Sequence, residues 1–151
     1  MRTYLVVIDE TPEAEVALRF AARRAAKTGG AVQILALIPP IEFVGMSGVQ
    51  ATMEEEARQH AEDLVASAAG MLSEEAGIHP SIMVEAGEPV PLIRRTIAEN
   101  PNIAALVLGA AAMGAPGPLV THFAGVEAGQ LPCPLMIVPG GLDSAALDRM
   151  S

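Results

Sequence analysis

Positive charge is what this chain has least of. Its 151 residues contain one lysine, Lys27, and eight arginines against eighteen acidic side chains, for a formal net charge of −9. A general nucleic-acid binder needs a basic stripe to neutralise phosphates, and anionic membrane surfaces attract the same kind of stripe; both partner classes are disfavoured here. Cysteine is almost missing as well. Cys133 stands alone, so no intramolecular disulfide can form, and no Cys/His cluster has zinc spacing. Aromatic residues number four (Tyr4, Phe20, Phe43, Phe123), with no tryptophan. The apolar half of the chain is made up largely by 27 alanines, as expected of small-faced helices packed on a sheet. That apolar content excludes intrinsic disorder. The N-terminal run Leu5 to Ile8 is too short for a signal-peptide core, and the expected compartment is the cytoplasm. Ile103 to Val120 is 18 residues without a charge, but Gly109, Gly114, Pro116, Gly117 and Pro118 interrupt it. It reads as a buried strand followed by a glycine-rich loop, not a membrane helix.

What is present is a regular alternation. Tyr4 to Asp9 is an apolar run closing on an acid, as a strand buried on both faces should be. Thr11-Pro12-Glu13 then supplies a capping hydroxyl, a first-turn proline and an acid at the positive end of a helix dipole. Ala14, Leu18, Ala21 and Ala25 form that helix's inner face, and Gly29-Gly30 ends it. Ala31 to Ile38 predicts a second strand stopped by Pro39-Pro40, and Ile41 to Gly48 a loop. A long helix to about Gly77 follows, its inward stripe Met53, Ala57, Ala61, Leu64, Ala68 and Met71. Ser81 to Glu85, Ile103 to Gly109 and Leu135 to Val138 are the remaining strands. Helices running from Pro89 to about Asn100 and from Leu119 to Gln130 separate them. Five strands and four crossovers predict a three-layer α/β/α sandwich on a five-stranded parallel sheet, one domain over 1–140 with a short tail over 141–151.

Ligands in such sheets gather at strand carboxyl ends where the winding reverses. Asp9-Glu10-Thr11 and the Gly109 to Pro118 loop are the two candidates, the second because glycines let backbone N–H groups approach an anion near a helix terminus. Residues 3–138 resemble the universal stress protein family in four ordered segments: Val6-Val7-Ile8-Asp9 with Thr11 and the following helix, Val84 to Pro89 with Ile93, Leu106 to Gly109, and Cys133 to Val138. The resemblance implies an adenine nucleotide alpha hydrolase-like fold with strand order 3-2-1-4-5. It also implies homodimers joined along strand five (Leu135, Met136, Ile137, Val138) and a crevice for ATP or another adenine nucleotide. By position in that resemblance, Asp9 and Thr11 would lie at the sugar, Ile38 at the base, and Gly109, Gly114, Thr121 and His122 at the phosphates. The family's G-x-x-G, nine residues, G-S/T pattern is broken here. Ala112 replaces the second glycine, Thr121-His122 replace the final pair, and the interval to Pro134 is one residue short.

The expectation is therefore a non-enzymatic, dimeric, stress-related protein with a remodelled crevice, the alternatives being a slow ATPase or a pure protein-interaction module. No catalytic group or metal cluster is evident; His60 and His79 read as surface residues and Cys133 as a small hydrophobe. Pro139 to Ser144 resembles the phosphate loop of N-type ATP pyrophosphatases. It lies after the last strand, and its plain reading is a turn with Asp143 capping a short C-terminal helix.

Overall fold

The computed structural model describes residues 1–40 and 47–151. Strands β1 (Thr3–Ile8), β2 (Ala31–Ile38), β3 (Ser81–Ala86), β4 (Ile103–Ala110) and β5 (Leu135–Pro139) alternate with helices α1 (Pro12–Thr28), α2 (Ser47–Ala76), α3 (Pro89–Glu99) and α4 (Pro118–Ala124). A last helix, α5 (Ser144–Met150), closes the chain. The strands pair in parallel in the order β3-β2-β1-β4-β5. β1 is central and all six of its residues are buried. Its period-two alternation sends Tyr4, Val6 and Ile8 into the core under α1 and α2, and Leu5 and Val7 into the core under α3 and α4.

The alanines explain how tightly α1 lies on the sheet. Ala14, Ala17, Ala21, Ala22 and Ala25 are buried beside Leu18, so the helix backbone can come close. At its first turn the approach is close enough that a Cβ on Gly109 would stand 2.0 Å from the Glu13 carbonyl oxygen. Only glycine fits there. Thr11 caps the helix by accepting from the Ala14 N–H (3.3 Å), and Gly29 ends it at φ 67°.

Three expectations need correction. The helix after the Gly109 loop stops at Ala124, not Gln130, because Gly125 leaves helical geometry and the chain turns through Gly125 to Gln130. The inner stripe of α2 is Ala61, Val65, Ala68 and Leu72, with Ala57, Leu64 and Met71 at its margin, and Met53 is exposed. At 30 residues α2 is about 45 Å long, more than the strands can cover, so its first turns project past the sheet. Of the loop expected over Ile41 to Gly48, residues 41–46 lie outside the described residues, while Ser47 and Gly48 belong to α2. The turn after β5 leads into α5 as expected, with Asp143 accepting from the Ala146 N–H at 2.9 Å.

Candidate functional site

The winding reverses at β1, whose neighbours are β2 and β4. A crevice of about 400 Å³ opens at the carboxyl ends of these strands. Three helices begin at its edge, represented by Thr11, Glu13 and Ala14 of α1, Pro89 and Val90 of α3, and Pro118, Leu119 and Val120 of α4. Val7, Leu37, Pro39, Leu108, Gly109, Pro116 and Gly117 complete the wall with Ile8 and Asp9.

Asp9 lies just beyond β1 and organises the entry to α1. Its Oδ1 accepts from the Thr11 N–H (2.9 Å) and from the Thr11 hydroxyl (2.5 Å), while that hydroxyl accepts from Ala14. Both bonds use Oδ1, so Oδ2 takes part in neither. Asp9, Thr11 and Gly109 are thus brought together from two adjacent strands and one helix terminus. Gly109 is there for packing: its missing Cβ makes room for α1, not for a ligand.

The other expected residues lie elsewhere. Ile38 points to the opposite face of β2 and is buried under α1 and α2, so Leu37 and Pro39 form the crevice wall instead. Gly114, at φ 74°, is exposed and not part of the wall. Ala112 sits beside Gly141, a turn away from the crevice. Thr121 and His122 are the fourth and fifth residues of a seven-residue helix, past the free N–H groups at its start. The Thr121 hydroxyl donates back to the Gly117 carbonyl (3.0 Å). The His122 ring stands edge-on to Phe123 (centroids 5.1 Å apart, interplanar angle 88°) with Nε2 3.6 Å from Glu127 Oε1. Glu127 is itself held by Arg94, whose Nε donates to Oε2 at 2.9 Å. His122 therefore belongs to the contact between α3 and the segment after α4.

Two features of the wall decide its chemistry. It contains no lysine, arginine or histidine, while Asp9 and Glu13 supply acids. Four of its residues are prolines (Pro39, Pro89, Pro116, Pro118), which have no N–H to give an anion. Each helix that starts here carries proline in its first turn, Pro12, Pro89 or Pro118. In α4 the Thr121 N–H already bonds to Gly117, leaving only Leu119 and Val120 as first-turn donors. Two like charges about 4 Å apart cost about 4 kcal/mol near a protein surface, and against that α4 sets only the backbone N–H groups of Leu119 and Val120, with no cationic side chain in the wall.

Cys133 packs against the α3/α4 core, where burial pushes its thiol pKa up; the Leu106 backbone opposes this only in part. His60 bonds to Glu10 on the surface. Among the described residues no group of three or more His, Cys, Asp or Glu side chains could hold a metal ion. No helix among them is long and apolar enough to cross a membrane.

A search of curated proteins found no match. Among solved structures the chain is similar to the universal stress protein UspA from Lactobacillus plantarum (17% identity, TM-score 0.70, covering 91% of this chain and 97% of that one). It is similar to a universal stress protein in complex with cAMP (16% identity, TM-score 0.56, covering 91% and 96%). A third is an Arabidopsis thaliana universal stress protein family protein with AMP bound (14% identity, TM-score 0.55, covering 92% of each chain). At such identities these likenesses establish the fold. The profile of the universal stress protein family matches residues 1–139, nearly the whole chain and every element that builds the crevice, and the chain belongs to that family.

Proposed function

We propose that this protein is a non-enzymatic ligand-binding member of its family, whose crevice takes an adenosine-like molecule poor in phosphate. The observation that carries the reading is the crevice wall: acids and prolines where a polyphosphate would need cations and N–H donors. Relatives solved with cAMP and with AMP support an adenine ligand in this fold. The apolar wall of Val7, Leu37, Pro39 and Val90 suits a flat base, and Asp9 suits ribose hydroxyls. Membership of the family supports a cytoplasmic, stress-linked role as part of this proposal. We further propose that two copies associate along β5, an edge strand without a charged side chain.

Calorimetry with adenosine, AMP, cAMP and Mg-ATP tests the ligand. Affinity is expected to fall as phosphates are added, and mass spectrometry of small molecules released on denaturation is expected to show no ATP. Micromolar binding of Mg-ATP, tighter than adenosine, would overturn the reading.

A further inference from the structure

Three ionisable side chains meet one helical turn below the crevice and belong to neither its wall nor the hydrophobic core. Arg94 follows the wall residue Val90 by four positions on α3, and His122 follows Pro118 by four on α4, so each lies beneath a lip of the crevice. Both converge on Glu127, in the turn after α4. Arg94 grips it with two nitrogens: Nε donates to Oε2 at 2.9 Å and Nη2 to Oε1. His122 Nε2 stands 3.6 Å from the same Oε1, buried and without a hydrogen-bond partner. The Glu127 backbone is committed as well, its carbonyl accepting from the Gln130 and Leu131 N–H groups (2.9 and 3.2 Å). At 15% side-chain exposure, Glu127 is the most sheltered acid of any ion pair among the described residues.

The two helices joined here are anchored unequally. α3 has eleven residues and buries Leu92, Ile93, Thr96 and Ile97. α4 has seven, of which only Val120 and Phe123 are buried. Glycine bounds α4 on both sides: Gly117 at φ 117°, a conformation that L side chains rarely adopt, and Gly125 at φ −94°, ψ −112°, where the helix stops. A short element between two such residues is placed to turn as a unit. Among the described residues no other ion pair joins α3 to α4 or to the turn after it. A bidentate guanidinium–carboxylate pair fixes orientation as well as distance, so the firmly held helix dictates where the other one stands.

We propose that Glu127 is a positioning residue of the crevice. Held by Arg94, it pins α4 against α3 and so sets the gap between Val90 and Val120 that a ligand has to fit. It touches no ligand itself, and the consequence for binding rests on the adenosine reading above. Releasing the pair lets α4 turn about Gly117 and Gly125, which widens the crevice and leaves the sheet folded.

Hydrogen exchange of the free protein tests the pin, and adenosine calorimetry tests its consequence. In Glu127→Ala the Thr121 and Gly125 amides, bonded to the Gly117 and His122 carbonyls, should exchange about tenfold faster, while amides of β1 and α1 keep the wild-type rate. Adenosine affinity should fall by about the same factor. Arg94→Gln changes the more exposed partner, should have both effects, and covers the case in which Glu127→Ala fails to fold. Arg94→Lys keeps the charge without the fork and should do less. Exchange at Thr121 and Gly125 unchanged by both substitutions overturns the proposal. So does exchange that accelerates equally across the domain, because the pair would then be a stabilising contact only. Faster α4 exchange with unchanged adenosine affinity also overturns it, since the pin would not set the crevice. If the wild-type protein binds no adenosine, the adenosine reading fails, and α4 exchange still decides whether Glu127 positions that wall.

Discussion

Gly109 shows how one residue type can serve two different ends. In a strand-to-helix loop, glycine suggests room for an anion, but here the space is already filled by the first turn of α1, with the Glu13 carbonyl oxygen 2.0 Å from a would-be Cβ. Gly109→Ala is therefore expected to lower stability by about 1–3 kcal/mol or more through overpacking against backbone that cannot turn aside, read as a lower urea midpoint at unchanged slope. Loss of ligand binding in that variant would say nothing about phosphates. Asp9 is the better probe of the ligand. Asp9→Asn keeps an acceptor for Thr11 but removes the charge, and adenosine affinity should fall about tenfold. Thr11→Ala should cost about 1 kcal/mol of stability through the lost cap, and because it also removes the hydroxyl that holds Asp9 Oδ1, it should weaken adenosine binding as well. Adenosine binding unchanged in Asp9→Asn would move the sugar away from Asp9. At Cys133, burial holds the thiol pKa up, so reaction with a disulfide-exchange reagent at neutral pH should be far slower than for free cysteine and should speed up on denaturation.

At the scale of elements, α5 extends the fold beyond the family match, which ends at residue 139. It is held by Leu147, 2% exposed in the α1/α2 core, and by an ionic chain in which Arg23 Nε meets Asp148 (2.5 Å) and Arg19 meets Glu15 and Glu75. Magnitudes separate the two contributions. Asp148 is well exposed, so that pair contributes about 0–1 kcal/mol, whereas truncating a buried leucine costs about 2–5 kcal/mol. Leu147→Ala should accordingly destabilise the whole domain and Asp148→Asn hardly at all, by thermal or urea unfolding; the reverse order would show that charge, not packing, docks α5. The same contrast explains what the sequence made legible. Strands, helix starts and the α5 cap are written in local patterns: apolar runs, proline in first turns, and Asp143 or Thr11 three residues before the N–H it caps. The face Ile38 presents, the reach of α2 past the sheet and the direction of His122 depend on partners far along the chain. His122 turns toward Glu127, which Arg94 holds from α3. Of the prolines that wall the crevice, Pro89 is legible as a helix start, Pro39 as the stop of β2, and Pro116 and Pro118 as breaks in an apolar run. That they face one another is decided only by packing three helix termini around one strand end.

For the whole molecule, the −9 charge and the sheet's two open edges set opposing terms. Each copy repels the next, and salt screens that repulsion over about 10 Å at 0.1 M. The edges differ in what they offer. β3 carries Glu85, which faces Arg95 at 3.9 Å, whereas β5 is Leu-Met-Ile-Val-Pro with Ile137 42% exposed. An uncharged edge with a protruding isoleucine is the one that a second copy can cover without burying an ion pair. Sedimentation should then give a dimer that tightens with added salt. Ile137→Lys should make it monomeric without loss of fold, since the side chain is already half in water. Ile82→Lys on β3 is the matched control: its isoleucine is 47% exposed and the substitution changes net charge by the same amount. A general charge effect would move both variants alike, and association along β3 would dissociate only the second. Only a monomer confined to Ile137→Lys places the contact on β5.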